Sequence, residues 1–342
     1  MRDIRVATAQ FEPRDRDVAY NLSRIRALAT EAHARGAELV AFHEACTTGY
    51  SFVQVLDRAA MVALAEDVPD GPTFASLQGI ARDVGIALGV GIVERDVVDA
   101  MLATEYNIYN TYVVIDATGR LVAKQRKLHP FVSPFLTPGD SYCVFEFLGC
   151  KWGILICYDN NVTENARCTA LLGADIILAP HVTGGTASPQ PGRGIIAREL
   201  WENRDADPVP LRAEFRGNKG RAWMLRFLPC RAWENGVYYV FANNVGIDHD
   251  TVKPGNAMLL DTCGNVLDEC NALGDGLAVA LLTARGRAIA SGPRYIRARR
   301  PELYAPLLEP NPGAVTKPAW ARSWEGAEQG GDQTAGGGGG ES

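Results

Sequence analysis

Residues 153–161 read GILICYDNN. This stretch is the starting point for predicting the fold from the patterns on either side of it. The apolar run 153–156 is typical of a buried strand, and residues 158–161 favour a turn. Cys157 stands between the two, where the strand stops. Taken alone, such a cysteine is more often a small packed side chain than a reactive one. The alternative is a nucleophile, because loops at strand ends present reactive side chains.

Strand and helix patterns alternate on both sides of this stretch. Apolar residues at helical spacing predict helices at 21–35, 73–84 and 165–172. Strand patterns lie at 4–10, 37–42, 86–93, 110–115, 121–125, 143–147, 151–156, 175–179, 236–243, 255–260, 266–269 and 277–282. This order predicts a layered α/β fold with helices outside and one or more mixed sheets inside. Periodicity alone does not distinguish a Rossmann-like sheet from a four-layer sandwich.

The composition is that of an ordinary globular protein, with 342 residues, 47% of them hydrophobic, and a formal net charge of −6. This charge gives no electrostatic reason to expect a nucleic acid or an anionic membrane as a partner. The opening MRDIRVATAQF is charged and lacks the apolar core of a signal peptide, and no apolar run reaches the roughly 18 residues of a membrane-spanning helix. The eight cysteines are scattered without a CxxC pair, which favours reduced thiols in a cytoplasmic protein over disulfides or a zinc site.

Two segments depart from the alternation. Residues 181–228 are rich in glycine, proline and arginine with weak periodicity, which predicts a long loop. A loop of this length in a compact domain is commonly functional, and we interpret it as a pocket wall or lid; a solvated, arginine-rich excursion is the alternative. The glycine-rich end of the chain predicts disorder from about residue 325. We therefore expect one domain over 1–310 and a tail over 311–342.

Three reactive side chains directly follow predicted strands: Glu44, Lys127 and Cys157. Together they could perform acyl transfer. The thiolate would attack a carbonyl or nitrile carbon, the carboxylate would move the proton, and the cation would stabilise the oxyanion. His43 and His129 flank the first two residues, so a cysteine–histidine pair is an open alternative. Each residue also has a purely structural interpretation, as a packed thiol, a capping carboxylate or a solvated lysine.

Several segments together resemble the nitrilase superfamily of carbon–nitrogen hydrolases. The segments FHEACTTGY, RKLHPF and GILICYDNNVTENAR are similar to the glutamate, lysine and nucleophile segments of that family, and RAWENGVYYVFANNVG and GNAMLLDTCGNVL agree with later ones. The resemblance covers about 4–285. It implies an α-β-β-α four-layer sandwich, usually paired into a dimer, without a metal or an organic cofactor. It also implies Glu44 as general base and acid, Lys127 as oxyanion stabiliser and Cys157 as nucleophile. Further candidates for the oxyanion site or pocket are Tyr50, His129, Tyr158 (through its N–H), Asn161 and His181.

The activity implied by the resemblance is hydrolysis of a non-peptide C–N bond through a thioester, with release of ammonia or an amine. The family's nitrilases commonly read Cys-Trp-Glu at the nucleophile, whereas this chain reads Cys-Tyr-Asp at 157–159, which favours an amide or N-carbamoyl substrate over a nitrile. An acyltransferase, a binding protein that has lost the chemistry and a cysteine–histidine hydrolase on another fold are the alternatives. We expect a lysine near Cys157 to lower the pKa of the thiol.

One departure from the family pattern concerns a second glutamate, which many members carry between the lysine and the cysteine. The corresponding position here is near Val132, and the only glutamate in the interval is Glu146. Either the residue is dispensable, or His129, Ser133 or a residue of the 181–228 segment replaces it. Because C-terminal segments often cross to a partner subunit in this family, we expect a homo-oligomer that acts on a small molecule.

Overall fold

The structure, a computed structural model, describes residues 1–97 and 105–311, and the tail predicted to be disordered lies outside these residues. The strands are β1 (Ile4–Gln10), β2 (Leu39–Ala41), β3 (Ala87–Val97), β4 (Tyr106–Ile115), β5 (Leu121–Arg126), β6 (Val144–Phe147), β7 (Cys150–Ile154), β8 (Ile176–His181), β9 (Tyr238–Asn243), β10 (Val245–Asp248), β11 (Thr251–Pro254), β12 (Met258–Leu260), β13 (Val266–Glu269) and β14 (Gly276–Leu282). The helices are α1 (Val18–Ala34), α2 (Arg58–Leu64), α3 (Pro72–Val84), α4 (Thr163–Leu171), α5 (Arg198–Glu202), α6 (Pro208–Arg216), α7 (Arg221–Met224), α8 (Leu228–Asn235), α9 (Ala284–Ala288) and α10 (Gly292–Arg297).

The strands form two large mixed sheets and one hairpin. The first sheet has the order β14-β1-β2-β3-β4-β5, the second has the order β13-β12-β9-β8-β7-β6, and β10 and β11 pair separately. In the first sheet β1, β2 and β3 run parallel to one another, and in the second sheet β7, β8 and β9 do so. The remaining pairs within both sheets are antiparallel. This mixed topology agrees with the alternation in the sequence.

The two sheets pack face to face, with helices on their outer faces. Along β1, Val6 belongs to the core between the sheets and Ala7 to the core under α1 and α3, as expected from the alternation of side chains along a strand. On the second sheet α4 and α8 cover the outer face, where Ala166 and Leu228 pack with Phe241. The predicted four-layer α-β-β-α sandwich is thereby confirmed, and the Rossmann-like alternative is excluded.

Local capping groups mark the ends of helices α1 and α3. The carboxylate of Asp17 accepts a hydrogen bond of 3.0 Å from the N–H of Tyr20 at the start of α1. Helix α3 begins at Pro72 and is followed by Gly85 with φ 79°, a left-handed conformation that glycine adopts without strain. Both helices were predicted to within a few residues.

The interpretation of residues 181–228 as one long loop was wrong. Strand β8 extends to His181, and helices α5, α6 and α7 occupy much of the segment. These helices are too short to show clear periodicity, and α6 begins with a proline after an Asp207 cap. Their apolar residues form a small core with the β10–β11 hairpin: Trp201 and Phe215 pack against Val252. In the part of the chain that is described, no helix is long and apolar enough to cross a membrane.

Candidate active site

Glu44 lies in the turn that follows β2, and its side chain is fully buried. This turn passes so close to β3 that a Cβ on Gly91 would lie 2.2 Å from the backbone nitrogen of Ala45 and 2.8 Å from the carbonyl carbon of Glu44. A glycine at this position of β3 therefore lets the Glu44 backbone pack directly on the sheet. The position of the carboxylate is set by the sheet rather than by a mobile loop.

Three groups hold the Glu44 carboxylate. Oε1 accepts a hydrogen bond of 2.6 Å from Nδ2 of Asn110 and lies 2.5 Å from Nζ of Lys127. Oε2 accepts a hydrogen bond of 3.2 Å from the backbone N–H of Val182. Sequence analysis missed Asn110, although a buried asparagine in the apolar strand β4 is a signal that could have identified it.

Lys127 directly follows β5 and has its ammonium group completely buried. Besides Glu44, Nζ contacts the hydroxyl of Tyr50 at 3.1 Å and lies 5.2 Å from the centre of the Phe131 ring. Burial is the largest single influence and lowers the pKa of Lys127, but the opposing effects of Glu44, Tyr50, Cys157 and Asp159 together outweigh it, and the pKa is raised well above its ordinary value. Lys127 is therefore a fixed positive charge at neutral pH.

Cys157 begins a short 3-10 turn, Cys157–Asn160, just beyond β7. Its φ of 51° is in the left-handed region, which a non-glycine residue occupies at a cost in free energy. Asn160 supports this turn, because its Nδ2 donates to the carbonyl oxygens of Leu155 at 2.7 Å and of Cys157 at 3.2 Å. The sharp turn expected at the strand end is present.

Asp159 joins the cysteine turn to the chain that follows Lys127. Its buried carboxylate accepts hydrogen bonds from the backbone N–H groups of Ile156 at 3.2 Å, Leu128 at 3.1 Å and His129 at 2.9 Å. These contacts bring the segments that carry Cys157 and Lys127 together through one side chain.

Val182 connects the thiol to the carboxylate. Its carbonyl oxygen accepts the Sγ–H of Cys157 at 3.8 Å, while its N–H donates to Glu44. Cys157 as a whole residue is 5% exposed, so the thiol lies in a nearly closed site. The structure therefore brings Glu44, Lys127 and Cys157 together around Val182 and Tyr50.

The expected lowering of the pKa of Cys157 was wrong. Burial and the nearby charge of Glu44 raise the pKa of Cys157 to about 12, and the opposing effect of Lys127 is smaller. The expectation considered only the charge of a nearby lysine, whereas the carboxylate neutralises that lysine and the site excludes water. The resting thiol is protonated, so a thiolate forms only if a base accepts its proton.

The other candidate residues occupy supporting positions. Tyr50 contacts Lys127, as described, and the ring of Tyr158 packs 5.6 Å from that of Phe131. Asn161 ends the cysteine turn, and its carbonyl oxygen accepts a hydrogen bond of 3.2 Å from Arg231. His181 is buried, and its Nε2 accepts a hydrogen bond of 3.1 Å from Nδ2 of Asn160. Asn161 and His181 therefore stabilise the cysteine turn through these hydrogen bonds.

The histidines do not pair with the thiol within the described residues. Nδ1 of His129 lies 3.0 Å from Oδ1 of Asp159, and Nδ1 of His43 lies 3.1 Å from the backbone oxygen of Glu44. Burial lowers the pKa of His43 to about 4, and burial and Lys127 hold the pKa of His181 well below its usual range. A cysteine–histidine pair receives no support from this geometry.

Of the residues proposed to replace the second glutamate, neither His129 nor Ser133 reaches the Lys127–Glu44 pair by a hydrogen bond, and among the described residues of the 181–228 segment only the backbone N–H of Val182 does so. The hydroxyl of Ser133 accepts a hydrogen bond of 3.3 Å from the N–H of Phe135, and His129 is held by Asp159. Glu146 is exposed on the edge strand β6, 3.6 Å from Lys151. The polar contacts of the pair come instead from Tyr50, Asn110 and Val182. Among the described residues no group of three or more His, Cys, Asp and Glu side chains is arranged to hold a metal ion.

The sequence matches the family described as carbon–nitrogen hydrolase over residues 5–290. It is 34% identical over 316 residues to a Pseudomonas protegens protein named "Hydrolase in pqqF 5'region", with 90% of this chain and 93% of that protein covered. It is 29% identical to a nitrilase of Pyrococcus abyssi over 88% of this chain and 99% of that one. It is 31% identical to the N-carbamoylputrescine amidase of Arabidopsis thaliana over 64% of this chain and 72% of that one.

Solved structures with the same architecture include an amidase from Nesterenkonia sp. AN1. A cysteine-to-alanine mutant of that amidase in complex with butyramide superposes with a TM-score of 0.65 at 25% identity, covering 89% of this chain and 97% of the amidase. Another structure of the same amidase shows acrylamide added at its active-site cysteine.

Proposed function

This chain belongs to the carbon–nitrogen hydrolase family, and from that premise we propose that it hydrolyses a small amide or N-carbamoyl compound with Cys157 as nucleophile. Family membership makes it an enzyme that acts on non-peptide C–N bonds. The observation that carries the proposal is the position of the Glu44 carboxylate, which is bonded to the Lys127 ammonium on one oxygen and to Val182, the acceptor of the Cys157 thiol, on the other.

The first half of the reaction would acylate the cysteine. Because the pKa of Cys157 is about 12, Glu44 accepts the thiol proton as sulfur bonds to the substrate carbonyl carbon. The oxygen of that carbonyl takes up the electron pair of the broken π bond. Lys127 and the backbone N–H of Tyr158 would stabilise this negative charge. When the C–N bond breaks, Glu44 returns the proton to the leaving nitrogen, which departs as ammonia or an amine and leaves a thioester.

The second half would release the acid. Glu44 accepts a proton from water, and the resulting hydroxide bonds to the thioester carbon. Collapse of this second tetrahedral adduct breaks the C–S bond, and the proton held by Glu44 returns to sulfur. The enzyme is restored with a protonated thiol, the state that its buried site favours.

An amide substrate is proposed ahead of a nitrile. The Cys-Tyr-Asp sequence at 157–159 and the names of the amidase and N-carbamoylputrescine amidase relatives support this choice. Hydrolysis of a nitrile to a carboxylic acid and ammonia is the second candidate, because one relative of similar length is named a nitrilase.

The proposed function is tested by ammonia release from a panel of short amides, N-carbamoyl amino acids and nitriles, with Cys157→Ala as the blank. We expect release from members of the first two groups and none with the variant. Activity that survives in Cys157→Ala would overturn the role of this cysteine. Release of an N-acylated product after addition of hydroxylamine or an amine, in place of the free acid, would indicate an acyltransferase.

We further propose that residues 1–310 act as one domain, with helices α5 to α7 walling the pocket, and that the protein is a homo-oligomer. Support for the oligomer comes from apolar side chains exposed on α4, on α8 and near the C-terminal end of the described chain: Leu171, Trp233 and Leu308. Light scattering at micromolar concentration should give a mass of at least two chains, and a monomer would contradict the proposal.

A further inference from the structure

Lys253, on β11, is a second buried cation close to the candidate site. Its side chain is completely enclosed apart from a residual exposure of 2%. Within the described residues its ammonium donates one long hydrogen bond, of 3.4 Å, to the carbonyl oxygen of Gly184. It forms no ion pair with a carboxylate of these residues. A lysine ammonium has three N–H donors, and burying it without a counter-charge is costly. Such a group is expected to have a partner that comes from outside the chain.

The register of the β10–β11 hairpin shows which of its faces carries Lys253. In the β10–β11 pair, Gly246 lies opposite Lys253 and Asp248 lies opposite Thr251. Val252, the preceding residue on β11, faces the small core of α5 and α6, so Lys253 points to the other side of the hairpin. That side also carries Asp248, which binds the N–H of Ser51 at 3.1 Å in the loop that follows Glu44.

The acceptor of Lys253 also lies on the segment that contacts the thiol. Gly184 is two residues beyond Val182, and two residues of chain span at most about 7 Å. Thus one short segment receives the Cys157 thiol at one carbonyl group and the Lys253 ammonium at another. Burial lowers the pKa of Lys253, and the charges of Asp248, Cys157 and Glu44 act against this, which agrees with the closeness of the two sites.

No carboxylate of the described residues forms an ion pair with Lys253, although the charges of Asp248 and Asp250 act on it from farther away. Glu44 is occupied by Lys127, and Asp248 accepts hydrogen bonds from the backbone of Tyr50 and from both the backbone and the hydroxyl of Ser51. The described site therefore holds one compensated pair and one cation without a counter-ion in direct contact. A ligand carboxylate would supply that counter-ion and accept the unused N–H donors.

We propose that Lys253 binds a carboxylate of the substrate, so that the enzyme acts on short amides or N-carbamoyl compounds that carry an acid group several bonds from the cleaved C–N bond. This inference rests on the proposed function and narrows its substrate class. It also excludes substrates with a cationic tail, such as N-carbamoylputrescine, because their ammonium would face a buried positive charge.

The test measures binding without turnover. In the Cys157→Ala background, isothermal titration calorimetry gives the affinities of three amides of similar length: glutaramate with a carboxylate, valeramide without charge, and 5-aminovaleramide with an ammonium. We expect glutaramate to bind about tenfold or more tightly than valeramide, and 5-aminovaleramide to bind most weakly. Equal affinities for the three ligands would overturn the inference.

Substitution of Lys253 shows whether this residue causes the preference. With Lys253→Met or Lys253→Gln added, the ratio of glutaramate to valeramide affinity should fall close to one. The Gln variant serves if the Met variant folds poorly, because the glutamine amide can still donate a hydrogen bond to Gly184. Lys151→Met removes the same charge from an exposed position on β7 and should leave the ratio unchanged. A ratio that persists in both Lys253 variants would contradict the inference.

The inference and the proposed function can fail separately. Ammonia release from neutral and acidic amides at equal efficiency, together with equal binding, would retain the hydrolase and remove the carboxylate site. A Lys253-dependent preference for glutaramate in a protein that releases no ammonia from any amide would retain the carboxylate site and remove the proposed hydrolysis.

Discussion

Oε1 of Glu44 lies 2.5 Å from Nζ of Lys127, and neither side chain is exposed to solvent. The two residues are far apart in sequence and come from the ends of β2 and β5, so the pair forms only in the folded protein. It holds a permanent positive charge and a proton acceptor side by side, next to a thiol that is protonated at rest. The following predictions concern this arrangement.

Glu44→Gln should abolish most of the hydrolysis and also lower the stability of the fold, because the buried Lys127 ammonium loses its counter-charge. Gln keeps the shape of the side chain but cannot accept the thiol proton, so we expect kcat/KM to fall by about 10²–10⁴-fold. The measurement is ammonia release from the best substrate of the panel. Glu146→Gln, at an exposed position, is the matched control and should have wild-type activity. Near-normal activity of Glu44→Gln would favour a histidine as the base.

Lys127→Met should destabilise the protein as well as inactivate it. The variant leaves the Glu44 carboxylate buried without its cation, and we expect the free energy of unfolding in urea to fall by about 3–5 kcal/mol. The double variant Glu44→Gln/Lys127→Met should recover much of that loss, because no uncompensated charge remains. If the double variant were as unstable as Lys127→Met, packing rather than charge would explain the effect.

Cys157 should be alkylated later than the exposed cysteines at pH 7–8. Its pKa of about 12 leaves little thiolate, whereas Cys230 and Cys263 are exposed to solvent. Peptide mapping by mass spectrometry after timed exposure to iodoacetamide gives the order of labelling. The rate at Cys157 should rise with pH up to about 12. Labelling of Cys157 before the other two would show that the free enzyme holds a thiolate.

The buried His43 should make the protein less stable in mild acid. Its pKa in the folded state is about 4, below the ordinary value of 6.5, so between these values the unfolded chain binds a proton that the folded chain does not. The contribution of the uncharged His43 to the free energy of unfolding is fully present above pH 6.5. It is lost as the pH falls toward 4, and the total loss is roughly 3 kcal/mol. Urea unfolding at pH 7.5 and pH 4.5 measures the loss.

His43→Gln is the comparison for this effect. A neutral amide has no proton to gain, so the variant should lose less stability than the wild type between the two pH values, whatever its stability at pH 7.5. Equal losses in the two proteins would assign the acid sensitivity to other groups.

Sequence patterns located the strands and helices of the sandwich and the segments of the three candidate catalytic residues. Apolar runs and capping residues are local signals, so β1, α1 and α3 could be recognised from a few neighbouring residues. The contacts between distant segments could not be obtained in this way. Asn110 appeared only as a polar residue in a strand, and its bond to Glu44 depends on how two strands are placed.

Local sequence patterns also could not predict the electrostatic properties of the candidate site. The pKa of Cys157 depends on burial and on a carboxylate more than a hundred residues earlier in the sequence, so a neighbouring lysine gave the wrong sign. The β10–β11 hairpin was not predicted because its strands are short and separated by a tight turn, and Lys253 was therefore not recognised as a buried residue.

The pairing of β1 with β14 has a consequence for synthesis of the protein on the ribosome. Residues 4–10 emerge before the other strands of their sheet, but the antiparallel partner of β1 is 276–282, so this strand keeps an open edge until nearly all of the described chain has been made. Its other neighbour, β2, is available early, which allows a partial parallel sheet to form while translation continues. Chains that stop before residue 276 therefore expose one open edge of a hydrophobic strand and are expected to aggregate or to be degraded, rather than to accumulate as partly active enzyme.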